Sequence, residues 1–168
     1  AKKDGLNSIG YITPYNAQTR LVNAMIQDFF PPNNLAVNDE KIVAATVHKF
    51  QGSERDMILF DMVDSYPQSR AGMLLTDKNS EKLINVAVTR ARGKFVNIVD
   101  KKYITSRTSK NKTVQQLINH LENYGKSYTR HDFPKFINEQ TQPNLQWYEE
   151  KDCGQVLQDI DHARKITI

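Results

Sequence analysis

The order of apolar and polar positions divides most of the chain into short β-type runs and longer helical segments. Four apolar runs rich in β-prone residues predict strands over 8–13, 41–47, 57–63 and 95–99. Between and after them, helical spacing predicts helices from 16 to the Pro31-Pro32 pair, over 80–90 and over 113–124. Strands that alternate with helices favour an α/β fold with a mostly parallel sheet.

The same pattern predicts which side chains face inward. The run 57–63 is so continuously apolar that we expect a strand buried on both faces. We expect the second helix to begin after Asp77 or Asn79 and to run to about Arg90, with Gly93 as the stop that follows it, and we expect a loop over 65–76. The inward-facing residues predicted for the first two helices are Ala17, Leu21, Ala24, Met25 and Phe29, then Leu83, Ile84, Ala87 and Val88.

Two regions follow from this reading. Residues 1–125 form the α/β domain, whose elements run from about 6 to 125. Residues 126–168 carry scattered aromatics such as Phe133 and Trp147 among polar residues, with one short helical pattern near Val156. Such a tail is either an appendage packed on the domain by its aromatics or a segment that depends on a partner.

Composition narrows the class of protein. The 168 residues include 23 Lys and Arg, 19 Asp and Glu and a single cysteine. Without an apolar run of membrane-spanning length or a targeting pattern, we expect no membrane association. Cys153 alone forms no internal disulfide, and the four scattered histidines have no metal-ligand spacing, so we expect no metal site of this chain's own. A reducing, cytoplasmic location is the corresponding expectation.

The net charge of +4 is distributed unevenly. Residues 90–130 hold ten basic and two acidic side chains, a balance of +8 that leaves −4 for the remainder. This asymmetry fits a face that binds a polyanion and equally fits a solvated surface without a partner. Charge alone therefore leaves both interpretations open.

The segment after the second strand, residues 46–56, concentrates polar side chains around one glycine. Gly52 lets the backbone approach a ligand closely, while Gln51 and Glu54 are suited to sugar hydroxyls. Thr46 and His48 are suited to donate to phosphate. Loops beyond the carboxyl ends of parallel strands are the usual ligand-binding positions. A polar connector with surface charges remains the alternative interpretation.

The segment 85–92 places two arginines at the end of a predicted helix. In one interpretation Arg90 and Arg92 complement the helix dipole, which is worth about 0.3 to 1 kcal/mol each. In the other, one guanidinium reaches a phosphate, because its planar fork matches phosphoryl oxygens and stays charged. The residues of this segment alone favour the first interpretation.

Taken in order, three segments carry a family resemblance. Residues 13–18 (TPYNAQ), 46–56 (TVHKFQGSERD) and 83–92 (LINVAVTRAR) resemble motifs IV, V and VI of superfamily 1 helicases. The similarity is greatest to the branch of RNA-surveillance and replication nuclease-helicases. The resemblance implies the second of two RecA-like domains, with ATP bound between them and Mg²⁺ held mainly by the other, amino-terminal domain.

The resemblance also implies roles for individual residues. Arg90 would act as an arginine finger on the γ-phosphate, and single-stranded DNA or RNA would be the partner. The implied nucleotide-binding residues are Tyr15, Gln18, Arg20, Gln51, Gly52, Glu54 and Arg90. Those implied to face the nucleic acid are Thr46, His48 and Lys49. Many members of the surveillance branch carry Asp in place of His48, so the choice between DNA and RNA stays open.

No phosphate-binding loop is found in the sequence, since Gly125-Lys126-Ser127 follows a helix and lacks the earlier glycine. We therefore expect the chain alone not to hydrolyse ATP. Two alternatives remain. One is a non-catalytic RecA-like module that binds nucleic acid or protein, and the other is a basic nucleic-acid binder that uses residues 90–130 as its face.

Overall fold

A computed structural model of the chain describes residues 8–29, 41–77, 79–129 and 132. These residues form four strands and five helices. In chain order they are β1 (Ile9–Thr13), α1 (Asn16–Phe29), β2 (Ile42–Thr46), β3 (Arg55–Asp61), α2 (Met73–Thr76), α3 (Ser80–Thr89), β4 (Ala91–Ile98), α4 (Lys101–Arg107) and α5 (Thr113–Tyr124).

The four strands form one sheet in the order β2-β1-β3-β4, and every neighbouring pair is parallel. The predicted α/β fold with a parallel sheet is therefore confirmed. In the register, Thr13 lies beside Thr46, Ile12 beside Phe60 and Asp61 beside Ile98. The carboxyl ends of all four strands consequently meet at one edge of the sheet, which we call the carboxyl edge, and the opposite side is the amino edge.

The hydrophobic core lies on the sheet face that α3 and α5 cover. Ile58 and Phe60 of β3 are fully buried there, in one cluster with Leu83 and Ile84 of α3 and Val114 of α5. Burial of each such large apolar side chain contributes about 1.5 to 3 kcal/mol. β3 is an inner strand, since β1 and β4 flank it on its two sides. Its predicted burial on both faces is confirmed only in part, because Ile58 and Phe60 on one face are buried while Met57 and Leu59 on the other are half-buried.

The inward face predicted for α1 is wrong at three of its positions. Ala17, Leu21 and Ala24 are exposed and Met25 is half-buried, while the side chain of Phe29 lies outside what the structure describes. The helix instead turns polar side chains toward the sheet, where Gln18 Nε2 donates to Asp61 and Asn23 Nδ2 donates to the Ala44 carbonyl at 3.1 Å. A pattern that counts only apolar positions misplaces a helix face whose contacts are partly hydrogen bonds.

The region around β4 also differs from the prediction. The strand begins at Ala91, directly after α3, so Gly93 lies inside the strand and does not end the helix. Asn79 occupies the N-cap position of α3 without a side-chain capping hydrogen bond. α4 was not predicted; it begins where Asp100 caps it by accepting from the Tyr103 amide at 2.9 Å. Within the predicted loop 65–76, Met73–Thr76 form the short helix α2.

The connection from β2 to β3 contains no helix. It leaves the carboxyl edge after Thr46 and returns to the amino edge at Arg55, crossing β1 on the face that carries the core. Val47 and Phe50 of this connection are buried in the core cluster, and Phe50 packs directly against Gly10 and Ile58. The short connection thus spans the sheet from one edge to the other while fixed by two core side chains.

By its contacts the chain divides into two units, Ala1–Asn119 and His120–Ile168. In the described part of the second unit, α5 ends where the Gly125 amide donates to the Leu121 carbonyl at 2.8 Å, and the Thr129 hydroxyl donates to Asp132 at 2.7 Å. The division lies inside α5, and the predicted boundary at 125 stays a prediction. Most of the predicted tail, including Phe133 and Trp147, lies outside the described residues.

Candidate functional site

Glu54 and Arg90 both lie at the amino edge of the sheet, each directly before a strand. The strands that follow them, β3 and β4, are parallel neighbours, and Arg55 lies beside Ala91 in their register. The Arg55 amide donates to the Arg90 carbonyl at 3.0 Å. This backbone hydrogen bond brings together two segments that are 35 residues apart in the sequence.

Arg90 itself is the C-cap residue of α3. Its Nη2 lies 3.2 Å from the Thr89 hydroxyl, and its Nε is buried without a hydrogen-bond partner among the described residues. No carboxylate of the described residues forms an ion pair with its guanidinium. A permanently charged fork without an acidic partner is suited to an anionic ligand.

Glu54 forms an ion pair with Arg92, the second arginine of the segment 85–92. Arg92 Nε lies 3.2 Å from Glu54 Oε2, and both side chains are largely exposed. Arg92 belongs to β4 and not to the last turn of α3, so it does not complement that helix's dipole as one interpretation of the sequence supposed. The amino edge thus combines Arg55, Arg90 and Arg92 with two carboxylates, Glu54 and Asp56, of which Asp56 accepts hydrogen bonds from Ser8.

The residues between the two edges differ in exposure. Val47 and Phe50 are buried, whereas His48, Lys49 and Gln51 are exposed. Gly52 is exposed and adopts a φ of 89°, a conformation that disfavours other residues. The Arg55 guanidinium lies 5.7 Å from the centroid of the Phe50 ring, a cation–π arrangement.

Thr46, Tyr15 and Gln18 lie at the carboxyl edge. Thr46 is buried beside Thr13, whose carbonyl accepts from the Val47 amide at 3.3 Å. The Tyr15 hydroxyl donates to Asp64 at 2.7 Å. The Gln18 amide nitrogen donates to Asp61 and lies 3.1 Å from the Tyr11 hydroxyl oxygen. Arg20, two residues further along α1, is exposed.

The structure therefore divides the predicted site residues between the two edges. Arg55 and Asp61 are six positions apart on β3, which corresponds to about 20 Å along the strand. Glu54, Gly52 and Arg90 are near the amino edge, and the structure does not bring Tyr15 and Gln18 to them. The side chains of Tyr15 and Gln18 are hydrogen-bonded within the protein. Sequence reasoning placed functional loops beyond the carboxyl ends alone, whereas Glu54 and Arg90 lie at amino ends.

Tyr11, Gln18 and Asp61 form a buried polar cluster that the sequence does not predict. The Tyr11 hydroxyl donates to Asp61 Oδ2, while Asp61 Oδ1 accepts from the Val63 amide at 2.9 Å. Burial, reinforced by the Asp61 carboxylate, raises the pKa of Tyr11 well above its usual range. The one available signal was the position of Asp61 inside an otherwise apolar strand.

Among the described residues, no group of three or more His, Cys, Asp or Glu side chains is arranged to hold a metal ion. None of the described helices has the length and apolar character needed to cross a membrane.

Residues 1–102 match the model of a family described as an AAA domain. The chain is 39% identical over 90 residues to the DNA polymerase alpha-associated DNA helicase A of Saccharomyces cerevisiae, which is 54% of this chain and 12% of that protein. It is 39% identical over 90 residues to the DNA replication ATP-dependent helicase/nuclease JHS1 of Arabidopsis thaliana, covering 52% of this chain and 6% of that protein.

A third relative aligns over more of the chain. The regulator of nonsense transcripts 1 homolog of Drosophila melanogaster is 31% identical over 118 residues, which is 70% of this chain and 9% of that protein. The chain thus spans about a tenth of the length of these relatives. The family model, the parallel sheet and the helicase relatives agree with the three motifs. The chain therefore belongs to the AAA domain family and is a RecA-like domain of the superfamily 1 helicase type.

Proposed function

We propose that this chain is the second RecA-like domain of an ATP-dependent helicase that acts on DNA or RNA. ATP binds between this domain and another RecA-like domain of the same protein, which supplies the phosphate loop and most of the Mg²⁺ site. The observation that carries the proposal is the hydrogen bond from the Arg55 amide to the Arg90 carbonyl. It holds the acidic residue of one motif beside the arginine of the other, at one edge of the sheet.

In this mechanism the residues of the amino edge bind the nucleotide. Arg90 approaches the γ-phosphate when the two domains close, and its guanidinium offsets the charge that develops on the transferring phosphoryl group. Glu54 accepts hydrogen bonds from the ribose hydroxyls, and the exposed backbone at Gly52 and Gln51 borders the phosphates. Arg92 holds the Glu54 carboxylate in position.

The carboxyl edge binds the single strand. Thr46 stands at the end of β2, and the exposed His48 and Lys49 follow it, so this edge offers hydrogen-bond donors and a positive charge to a phosphate backbone. Tyr15 and Gln18 act there as positioning residues that fix α1 to the sheet through Asp64 and Asp61. When the two domains close at the amino edge, the contacts between the carboxyl edge and the single-stranded nucleic acid then shift. We place this machinery inside the cell, in keeping with the lone cysteine.

The decisive experiment is Arg90→Ala in the full-length protein. We expect ATP turnover to fall by about 10³-fold or more, because the transition state loses its cation. Arg107→Ala is the matched control, since Arg107 is an exposed arginine on α4, and we expect it to leave turnover unchanged. Arg90→Lys tests the guanidinium fork and is expected to restore little. Near-normal turnover of Arg90→Ala would refute the finger role.

A second measurement tests whether the chain is one half of a site. The purified 168-residue chain should bind ATP weakly and should not hydrolyse it, because the phosphate loop is expected in the other domain. A measurable ATPase rate that Arg90→Ala abolishes would contradict the proposal. If the full-length protein binds single strands but its ATPase is absent with every natural nucleotide, the non-catalytic module replaces the helicase as the better account.

A further inference from the structure

The loop after β3 presents one large aromatic ring to solvent. Tyr66 is 49% exposed although the protein holds its ring in place. The ring packs edge-on against Tyr103 of α4, with centroids 5.2 Å apart at 80°, and its hydroxyl lies 3.4 Å from the Ser106 hydroxyl. A ring that is fixed by its neighbours and open on one side loses little conformational entropy when a planar ligand stacks on it.

The surface beside Tyr66 is basic. Lys101, Lys102, Thr105 and Ser106 line a shallow groove on α4, and Ser106 is the residue that contacts the Tyr66 hydroxyl. Lys102 and Ser106 are one helical turn apart, so they share a face of α4. Both lysines are exposed.

Two carboxylates lie near this groove, and both accept hydrogen bonds from other groups of the protein. Asp64 is buried and accepts from the Tyr15 hydroxyl and the Gly72 amide. Asp100 caps α4 by accepting from the Tyr103 amide. The groups that the groove presents to solvent are therefore ammonium groups and one aromatic ring, which is the combination that single-stranded nucleic acids bind through phosphates and bases.

The position of Tyr66 connects it with the carboxyl edge, where the single-stranded nucleic acid is proposed to bind. It follows Asp64 by two residues, and Asp64 is hydrogen-bonded to Tyr15 at the carboxyl end of β1. α4 begins after the carboxyl end of β4, one outer strand of the sheet, whereas Thr46 ends β2, the other outer strand. Three strand spacings of about 4.8 Å separate β2 from β4, so about 14 Å lies between the two ends of this edge.

We propose that the exposed ring of Tyr66 is a stacking platform for one base of a single-stranded nucleic acid, and that Lys102 contacts an adjacent phosphate. The inference rests on the proposed function, because it extends the strand path that begins at Thr46 across the carboxyl edge. Stacking makes this subsite tolerant of base identity, since every base presents a π-face. The subsite therefore adds grip on the strand without adding sequence preference.

The test measures binding of a fluorescent single-stranded oligonucleotide to the full-length protein by anisotropy, with matched DNA and RNA probes. We expect Tyr66→Leu, which still covers Tyr103, to weaken binding roughly five- to a hundredfold, and Tyr66→Trp to retain it. Tyr124→Ala is the control, because Tyr124 is 81% exposed and lies on α5. Lys102→Gln should lower the magnitude of the slope of log affinity against log salt by about 0.7.

The outcomes separate this inference from the proposed function. If Tyr66→Leu binds as tightly as the wild type while Arg90→Ala abolishes ATP turnover, the stacking platform is wrong and the helicase assignment stands. Equal losses in Tyr66→Leu and Tyr66→Trp also overturn the platform, since they indicate a contact other than stacking. If the wild-type protein binds no single strand at all, the strand-binding edge and the platform fail together.

Discussion

Arg92 Nε lies 3.2 Å from Glu54 Oε2, so an ion pair joins β4 to the residue immediately before β3. Both partners belong to motifs that face the expected nucleotide. Their side chains are 61% and 49% exposed, respectively, and pairs so well hydrated contribute little to folding. The pair therefore serves to orient the Glu54 carboxylate more than to stabilise the domain.

The ion pair leads to a prediction about stability. We expect Arg92→Ala and Glu54→Ala each to lower the free energy of unfolding by less than about 1 kcal/mol, because water replaces the lost partner. A double-mutant cycle from urea unfolding should give a coupling energy of about 0 to 1 kcal/mol that shrinks with added salt. A coupling well above 2 kcal/mol would show that the pair is a structural element.

Tyr103 carries an unfavourable buried hydroxyl. The residue is fully buried, and its hydroxyl has no hydrogen-bond partner among the described residues. Because a buried unsatisfied group costs about 1 to 3 kcal/mol, we expect Tyr103→Phe to leave the free energy of unfolding unchanged or to raise it. Tyr11→Phe is the matched comparison and should lower it by about 1 to 3 kcal/mol, since Asp61 loses a donor. Clear destabilisation by Tyr103→Phe would count against this account.

Tyr11 makes the stability of the domain depend on alkaline pH. Burial and the neighbouring Asp61 raise its pKa above the value of 10.0 expected for the unfolded chain. The unfolded state therefore loses this proton first, so the contribution is complete below pH 10 and falls as the pH rises above it. Burial also raises the pKa of Tyr103, so the contribution of Tyr103 to stability likewise falls as the pH rises.

The pH prediction is checked by urea unfolding at several pH values together with tyrosinate absorbance. Stability should decline above pH 10, and tyrosinate from the buried tyrosine should appear only as the protein unfolds. Tyr11→Phe should decline less steeply over the same range, with the remaining slope due to Tyr103. Equal slopes in the two proteins would argue that Tyr11 ionises normally in the folded state.

Gly52 is constrained by its backbone and not by its surroundings. With φ at 89°, no atom lies within 4 Å of a hypothetical Cβ. We expect Gly52→Ala to lower the free energy of unfolding by about 1 to 2 kcal/mol and Gly52→Asn to lower it less, because Asn tolerates positive φ better.

Gly10 provides the contrasting case for the same measurement. A Cβ at Gly10 would meet Phe50 Cζ at 2.5 Å and Ile58 Cδ1 at 2.7 Å, so Gly10→Ala acts through overpacking and should cost about 1 to 3 kcal/mol. Gly10→Asn should lower the free energy of unfolding more than Gly10→Ala does, which is the reverse of the order at Gly52. The same order at both positions would refute the distinction.

The sheet could be predicted from the sequence because its strands are apolar and uninterrupted. β1, β2 and β3 match the predicted runs closely, and α5 matches its predicted bounds. β4 was predicted too short because Arg92, Gly93 and Lys94 are polar or small, and propensity gives no reason to place them in a strand. They form one because Arg55, already in β3, pairs with Ala91. Such tertiary pairing is invisible to local patterns.

The residues of the candidate site stay a prediction, and their arrangement could not be predicted from the sequence. The order of the three motifs identifies the family, and the hydrogen bond from the Arg55 amide to the Arg90 carbonyl brings the segments of Glu54 and Arg90 together. Tyr15 and Gln18 were grouped with them because motif order carries no information about strand register. Only the register shows that one set lies at the start of β3 and the other at its end.

The helix-free connection between Thr46 and Arg55 places a condition on loop length. Its two ends are fixed at opposite edges of one sheet, in β2 and β3, and Val47 and Phe50 are fixed in the core. We expect a residue inserted between Phe50 and Arg55 to displace Glu54 from Arg92, because it lengthens a segment whose two ends are held in place. The number of residues in this connection is therefore as constrained as their identity. We expect the connection not to tolerate insertions, whereas the loop after β3 accepts them more readily.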